Sequence, residues 1–519
     1  MKKPLLTALC LVSLQCILAQ SNAAFFTIKD TVTGKLHDGK EILAKEYITP
    51  EKIYEWNIYE PDNDLLLELR TTDKRGRFRN KGALYAIKLD DKSIKWQRDI
   101  DYGNSETRYD NDFLLLYHKN RIHRLHPETG SSMWESKNDF YFIEPRLNIA
   151  LSYPIGNFSD RMSAIDMNTG AELWKQKLDR SYGWDDVYMY NDSLVLIAVN
   201  GIHGFNLHNG SNWHYEANTN RKDIGATIAK NVAGAVIGVL TGVVVYDPEL
   251  DIATDMVSNI FIDPAGNIIQ ASRDKIASLT PQGDENWATP LPKNITSKST
   301  LFLIDNTLYM INKGFAKYNG DFSMVGAPYF AAFNLSDGKQ LYLNEIDEKR
   351  DFIRSFQVIN NHLFLIFRNK IATYSLADGS FQKELIIETL DKDEQLEEFF
   401  VKDIFVKQND SLFTDLLHVN PELSYVRTDA YRVFGLNDNL ELTETYNKEH
   451  IFHKTMEYGP FTFITNDDKT NIVLNENHEP VAELQTTSRM FIHGNKLYTI
   501  DKESIRETDL LQLTEDVRF

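Results

Sequence analysis

Two cysteines are all that 519 residues hold, Cys10 and Cys16, and both fall in the first 23 positions. With that segment removed, the chain can form no disulfide, thiolate nucleophile or zinc–thiolate cluster. Basic residues are also few: 56 Lys and Arg stand against 75 Asp and Glu, for a net charge of −19. Such a surface repels phosphate backbones, and no basic patch offsets it, so nucleic acid is not an expected partner. HExxH, GxSxG, the P-loop and a GxGxxG after a strand are all absent. No apolar run reaches the ~20 residues a membrane helix requires. The longest uncharged apolar stretch after the N-terminus, residues 232–246, covers 15 positions, about 22 Å as a helix against a bilayer core of about 30 Å.

Residues 1–23, MKKPLLTALCLVSLQCILAQSNA, place two lysines before an apolar run, with small residues behind it. That is the three-part form of a secretory signal peptide, with cleavage expected near Ala23. Lipidation through Cys16 is disfavoured, because Gln15 stands where a small residue is needed. The chain is therefore expected to be exported, to the periplasm, the outer-membrane periphery or the exterior; its Asn, Lys and Ile richness has a bacterial cast. With 42% hydrophobic and 12% aromatic residues, residues 24–519 can build one large domain without disulfides.

That domain is repetitive. GALYAIKLDDKSIKW (82–96), NRIHRLHPETGSSMW (120–134), DRMSAIDMNTGAELW (160–174), NGIHGFNLHNGSNW (200–213) and RDKIASLTPQGDENW (273–287) align as strand, turn, strand and Trp. Five of the seven tryptophans, Trp96, Trp134, Trp174, Trp213 and Trp287, occupy this one position, the first four 38, 40 and 39 residues apart. Clear copies span 82–287. Degenerate ones continue over 328–510, with Tyr342 in the Trp place. Another short apolar strand, such as FLLLY (113–117) or HLFLIF (362–367), precedes most copies. A period near 40 with four strands is the β-propeller pattern, so the expected fold is all-β, with four-stranded antiparallel blades numbering about eight within a range of seven to ten. The aromatic residues at the fixed position are expected to fill the gaps between neighbouring blades.

The unit, clearest in MSAIDMNTGAELW (162–174), resembles the repeat of the quinoprotein, or PQQ-like, β-propellers. The resemblance covers roughly residues 50–510. That family holds quinone-dependent dehydrogenases and also non-enzymatic members such as the outer-membrane assembly scaffold BamB. Its alcohol-oxidising members use a vicinal disulfide, a calcium held by Glu, Asn and Asp, and a catalytic Asp. No Cys–Cys pair exists here and no calcium set can be placed, so neither PQQ nor calcium is expected. No catalytic, cofactor-binding or metal residue is nominated. The resemblance therefore points to the BamB-like branch: a protein-binding or scaffold propeller with other envelope proteins as partners. A quinone- or calcium-dependent oxidoreductase, and a carbohydrate-binding or carbohydrate-processing propeller, are the alternatives.

Repeat register isolates one further segment. From Trp213 to Trp287 is 74 residues, so about 219–256 is an insertion. It contains NVAGAVIGVLTGVVVYDPEL (231–250), with Gly234, Gly238 and Gly242 four residues apart. Alanines favour a helix early in the segment and β-branched residues a strand late. A helix against the disc, a degenerate blade and a peripheral membrane contact are the three readings; a membrane span is not expected. Elsewhere, the histidines read as scattered surface groups. The acidic run 388–400 reads as a solvated inter-strand loop or short helix, and Phe315, Tyr318, Phe322 and Tyr329 as either a contact patch or packing beneath their own loop.

Overall fold

Apolar residues in this chain come either in unbroken runs or at alternate positions, and the two patterns occupy different strands. The computed structural model describes residues 25–513 except 60–62, 111, 157–159, 179–183, 217–255, 319–320, 349–350, 401–403, 408–415, 419–422, 438, 467–468 and 488. Among the described residues, forty strands form ten four-stranded antiparallel blades, eight of them separate sheets and the last two joined within one 11-stranded sheet. In chain order these are blade 1 (52–101), blade 2 (105–136), blade 3 (138–177), blade 4 (186–216) and blade 5 (261–290). Blade 6 (299–345), blade 7 (355–386), blade 8 (396–446), blade 9 (451–485) and blade 10 (490–509 with 41–48) follow. Ten is the upper end of the range that the repeats allow.

The unbroken runs are second strands with a blade on each face. In Leu194–Ala198, Val195 and Ile197 pack toward blade 3 and Leu196 and Ala198 toward blade 5, so all four positions must be apolar. Fourth strands, at the rim, alternate instead: Glu172–Lys177 buries only Trp174. Two compact units result. One comprises Asn104–Lys402 and Asn420–Lys448, the other Met1–Gly103, Asp403–Val419 and Glu449–Phe519. In the first unit, blades 2 to 8 stack face to face, with an apolar cluster between each successive pair. In the second, blade 9 packs on blade 10 and blade 10 on blade 1. The chain is all-β, of the β-propeller class.

Blade 10 is assembled from both chain ends. Three strands, Met490–His493, Lys496–Ile500 and Ser504–Asp509, take Glu41–Ile48 as the fourth, with Ala44 opposite Thr508 and Ile48 opposite Ser504. Thr27–Leu36 then adds a fifth strand outside it, and its last residues also pair with Leu484 to Ala482 of blade 9.

The seam between blades 10 and 1 adds a buried ion pair to its apolar cluster. Lys92, at φ +61° in the blade 1 turn, stands where most other blades have glycine. Its buried ammonium pairs with Glu507 and donates to the Tyr498 hydroxyl at 3.0 Å. Burial holds Lys92 below its ordinary pKa against the pull of Glu507. Burial opposes the Glu507 charge too, but bonds from Lys496 and Lys92 prevail and hold its pKa down. Lys92→Met should cost about 1–3 kcal/mol, less than a fully broken buried pair, because Lys496 still neutralises Glu507. Urea denaturation with a Lys92→Met/Lys496→Met double variant checks this: the second change should cost more in the first variant than in the wild type.

Candidate functional site

Because each sheet is antiparallel, the turn joining its third and fourth strands lies at one end. The turn joining its second and third strands, and the link to the next blade, lie at the other. The first end holds the repeat tryptophans. Trp134 Nε1–H donates to the Met167 carbonyl at 2.8 Å, Trp174 to Leu207 at 2.7 Å, Trp213 to Pro281 at 3.1 Å and Trp287 to Leu335 at 3.1 Å. Tyr342, in the same place, donates its hydroxyl to Leu376 at 2.7 Å. Every acceptor is in the turn of the following blade, and the glycine of that turn lies under the ring. A Cβ on Gly170, Gly210, Gly283, Gly338 or Gly379 would come within 2.2–2.7 Å of it. These glycines have φ between +68° and +88°. Hairpin chemistry alone accounts for the φ; the bare backbone also makes the seat for the aromatic ring. Trp96 is buried in the outer strand of blade 1.

The seat of Trp213 lies on blade 5, so blades 4 and 5 are direct neighbours. The chain departs after Glu216 and returns at Met256 between two blades already in contact. Gly234, Gly238 and Gly242 lie outside the described residues, as does almost all of the insertion at 219–256.

The opposite end carries the longer connections, and hydrogen bonds fix them. In blade 6, the fully buried Asn312 accepts from the Ser297 amide at 2.6 Å and donates to the Ile295 and Ala327 carbonyls at 3.0 and 2.6 Å. It thus ties the link from blade 5 to the base of the hairpin Phe315–Tyr318/Asp321–Met324. Phe315 and Tyr329 are buried, which removes them from any surface patch. In the acidic run, Glu394 is not solvated: its side chain is 3% exposed. Its carboxylate accepts from Thr428 at 2.7 Å and from Arg432 Nε at 2.8 Å. Burial works against its charge, but these bonds dominate and bring its pKa to about 2. His203 and His214, which read as scattered, face each other across blade 4 with ring centres 4.0 Å apart. That pairing follows from strand register, which spacing in sequence does not reveal.

In the other unit this end holds a cleft of about 310 Å³, walled by residues 48–52, 70–72 and Glu503. Among the described residues, no group of three or more His, Cys, Asp or Glu is placed to hold a metal ion. Nor is any helix among them long and apolar enough to cross a membrane.

No protein-family model matches the chain, and no curated protein does. Solved structures do. BamB from Moraxella catarrhalis aligns at 12% identity and a TM-score of 0.33, over 73% of this chain and 96% of its own. The C-terminal WD40 domain of Sif2 aligns at 9% identity and 0.31, over 92% and 99%. The computationally designed Ika8 protein aligns at 10% and 0.31, over 71% and 95%. At these scores the likenesses carry no argument, and function has to be argued from this chain's own residues.

Proposed function

We propose that this chain is a non-catalytic, exported propeller that binds or scaffolds other proteins of the cell envelope by accepting an extended segment along the outer edge of a blade. One observation carries the reading. At blade 10 the chain already performs the reaction on itself, laying Thr27–Leu36 on the outer strand Glu41–Ile48 in antiparallel register with one irregularity between Val32 and Gly34. Main-chain bonds give such additions their affinity and alternate side chains their specificity. Blade 7 offers a comparable edge. Its outer strand Phe381–Ile386 ends its sheet and is exposed along most of its length, with Phe381 at 56% and Ile386 at 50%. Export is supported by the signal-like residues 1–23.

A photo-crosslinking residue at Gln382 or Glu384, in cells grown under native expression, tests this. The expected result is one or a few reproducible adducts with envelope proteins, those from position 384 being lost when Gln382→Pro removes an edge N–H. Adducts unaffected by Gln382→Pro, or none at either position, would discard edge addition at blade 7.

A further inference from the structure

The cleft between blades 10 and 1 is independent of strand edges, and its wall contains an arginine held in one pose. The Arg70 guanidinium carbon lies 3.5 Å from the Tyr54 ring centre and 3.9 Å from that of Tyr102. Two rings that close to one planar group must take its opposite faces. Glu68 takes one edge, accepting from Nε at 2.6 Å and from Nη2. Space for this arrangement depends on Gly82, whose missing Cβ would stand 3.1 Å from both Arg70 Cγ and Tyr102 Cε2 and 2.2 Å from the Leu69 carbonyl oxygen. Among the described residues, Nη1 has no hydrogen-bond partner. A guanidinium fixed on both faces and one edge loses little further freedom when its remaining edge binds a ligand.

The second cation is Lys52. Its ammonium pairs with Glu503 on the same cleft wall, and these side chains are 38% and 67% exposed. A solvent-exposed pair of this kind contributes only ~0–1 kcal/mol and exchanges readily with a competing carboxylate.

We propose that this cleft binds a carboxylate group, with Arg70 Nη1 and Lys52 Nζ as donors and Glu503 giving up Lys52 on binding. The volume lies at the bottom of the range of ~300–1,000 Å³ for small-molecule sites, so the ligand is a small acid or the last residue of a peptide. Glu51 on the same wall repels a second negative charge, so a monocarboxylate fits better than a dicarboxylate or a phosphate dianion.

Saturation-transfer NMR titrations of the mature chain with sodium acetate, tri-alanine and tri-alanine amide decide this. Acetate and tri-alanine should saturate the protein, and the amide should not. Equal affinity for acetate and tri-alanine identifies a free small acid as the ligand; a clear preference for tri-alanine identifies a peptide C-terminus. Lys52→Ala and Arg70→Lys should each weaken binding about tenfold, the latter because lysine lacks the planar fork. Glu503→Gln should tighten it several-fold by freeing Lys52. Lys52 and Glu503 are partly exposed, so their variants remain informative even if Arg70→Lys lowers stability. Binding of the amide as tight as that of the free acid, no saturation by either acid, or unchanged or weaker binding in Glu503→Gln would overturn the proposal.

Discussion

Trp174→Ala should destabilise the protein by about 3–5 kcal/mol, the range for emptying a buried Trp site, and should abolish most of the penalty of a second substitution 36 residues away. Trp174 is 8% exposed, donates to the Leu207 carbonyl and covers Gly210 in the turn of the next blade. Gly210→Ala suffers twice. Its φ of +71° is unfavourable for any L side chain by about 1–2 kcal/mol, and its Cβ would meet the indole at 2.7 Å, adding about 1–3 kcal/mol of overpacking. Gly76, at φ +74° with open space for 4 Å around the place a Cβ would take, isolates the first cost. Chemical denaturation of Gly76→Ala, Gly210→Ala, Trp174→Ala and the Trp174/Gly210 double variant forms a closed comparison. Gly210→Ala should cost clearly more than Gly76→Ala in the wild-type chain and about the same once the indole is gone. An unchanged Gly210→Ala penalty without Trp174 would mean that the ring does not sit on the turn.

That coupling also shows what a single sequence conveys. The tryptophan spacing, the alternating strands and the Asn-Thr-Gly type of turn give blade length, strand order and fold class, because each rests on interactions within about forty residues. The partner of a tryptophan can lie farther off. Trp213 seats on Gly283, 70 positions later, because the intervening residues 217–255 add length without separating blades 4 and 5. The repeat period locates the insertion, while the direct contact across it emerges only in the folded chain. Blade 10 is the least legible. Glu41–Ile48 carries no repeat turn, since its neighbouring strand Ser504–Asp509 comes from the far end of the chain.

The loop end is sharpened by the fold for a related reason. Most of the acidic run 388–400 is exposed, with Glu394 a buried exception, and of the aromatics near 315–329, Phe315 and Tyr329 are buried. Burial is decided residue by residue, by what each loop packs against. Asn312 and Glu394 are polar residues that hold loops from beneath, and the alternation of hydrophobic residues carries no trace of them. Arg70 belongs to the same class: its significance lies in Tyr54, Glu68, Gly82 and Tyr102 converging around it, none of which forms a sequence motif.

Arg432→Met should cost about 3–5 kcal/mol at neutral pH, since it leaves the Glu394 carboxylate buried with its main partner removed. In the wild-type chain, a carboxyl held at about 2, against an ordinary value near 4.5, contributes up to about 3 kcal/mol. The sign follows from the folded value being the lower one. The contribution is complete above about pH 5 and disappears as pH falls from there toward 2, where the folded state also takes up the proton. In Arg432→Met the carboxyl reverts toward, or above, its ordinary value and protonates earlier, which relieves the buried charge. The stability gap between the two proteins should therefore be widest at pH 7 and narrow by about 2 kcal/mol or more on going to pH 3. Denaturation curves at pH 7, 5 and 3 read this directly, and hydrogen exchange across residues 387–396 should show the loss of protection concentrated in the segment that Glu394 anchors. Arg432 also lies over the Phe434 ring, at 5.4 Å, and a contact of that kind does not depend on the state of Glu394. A gap that stayed constant with pH would assign the arginine to packing on Phe434 and leave the carboxylate without an anchoring role.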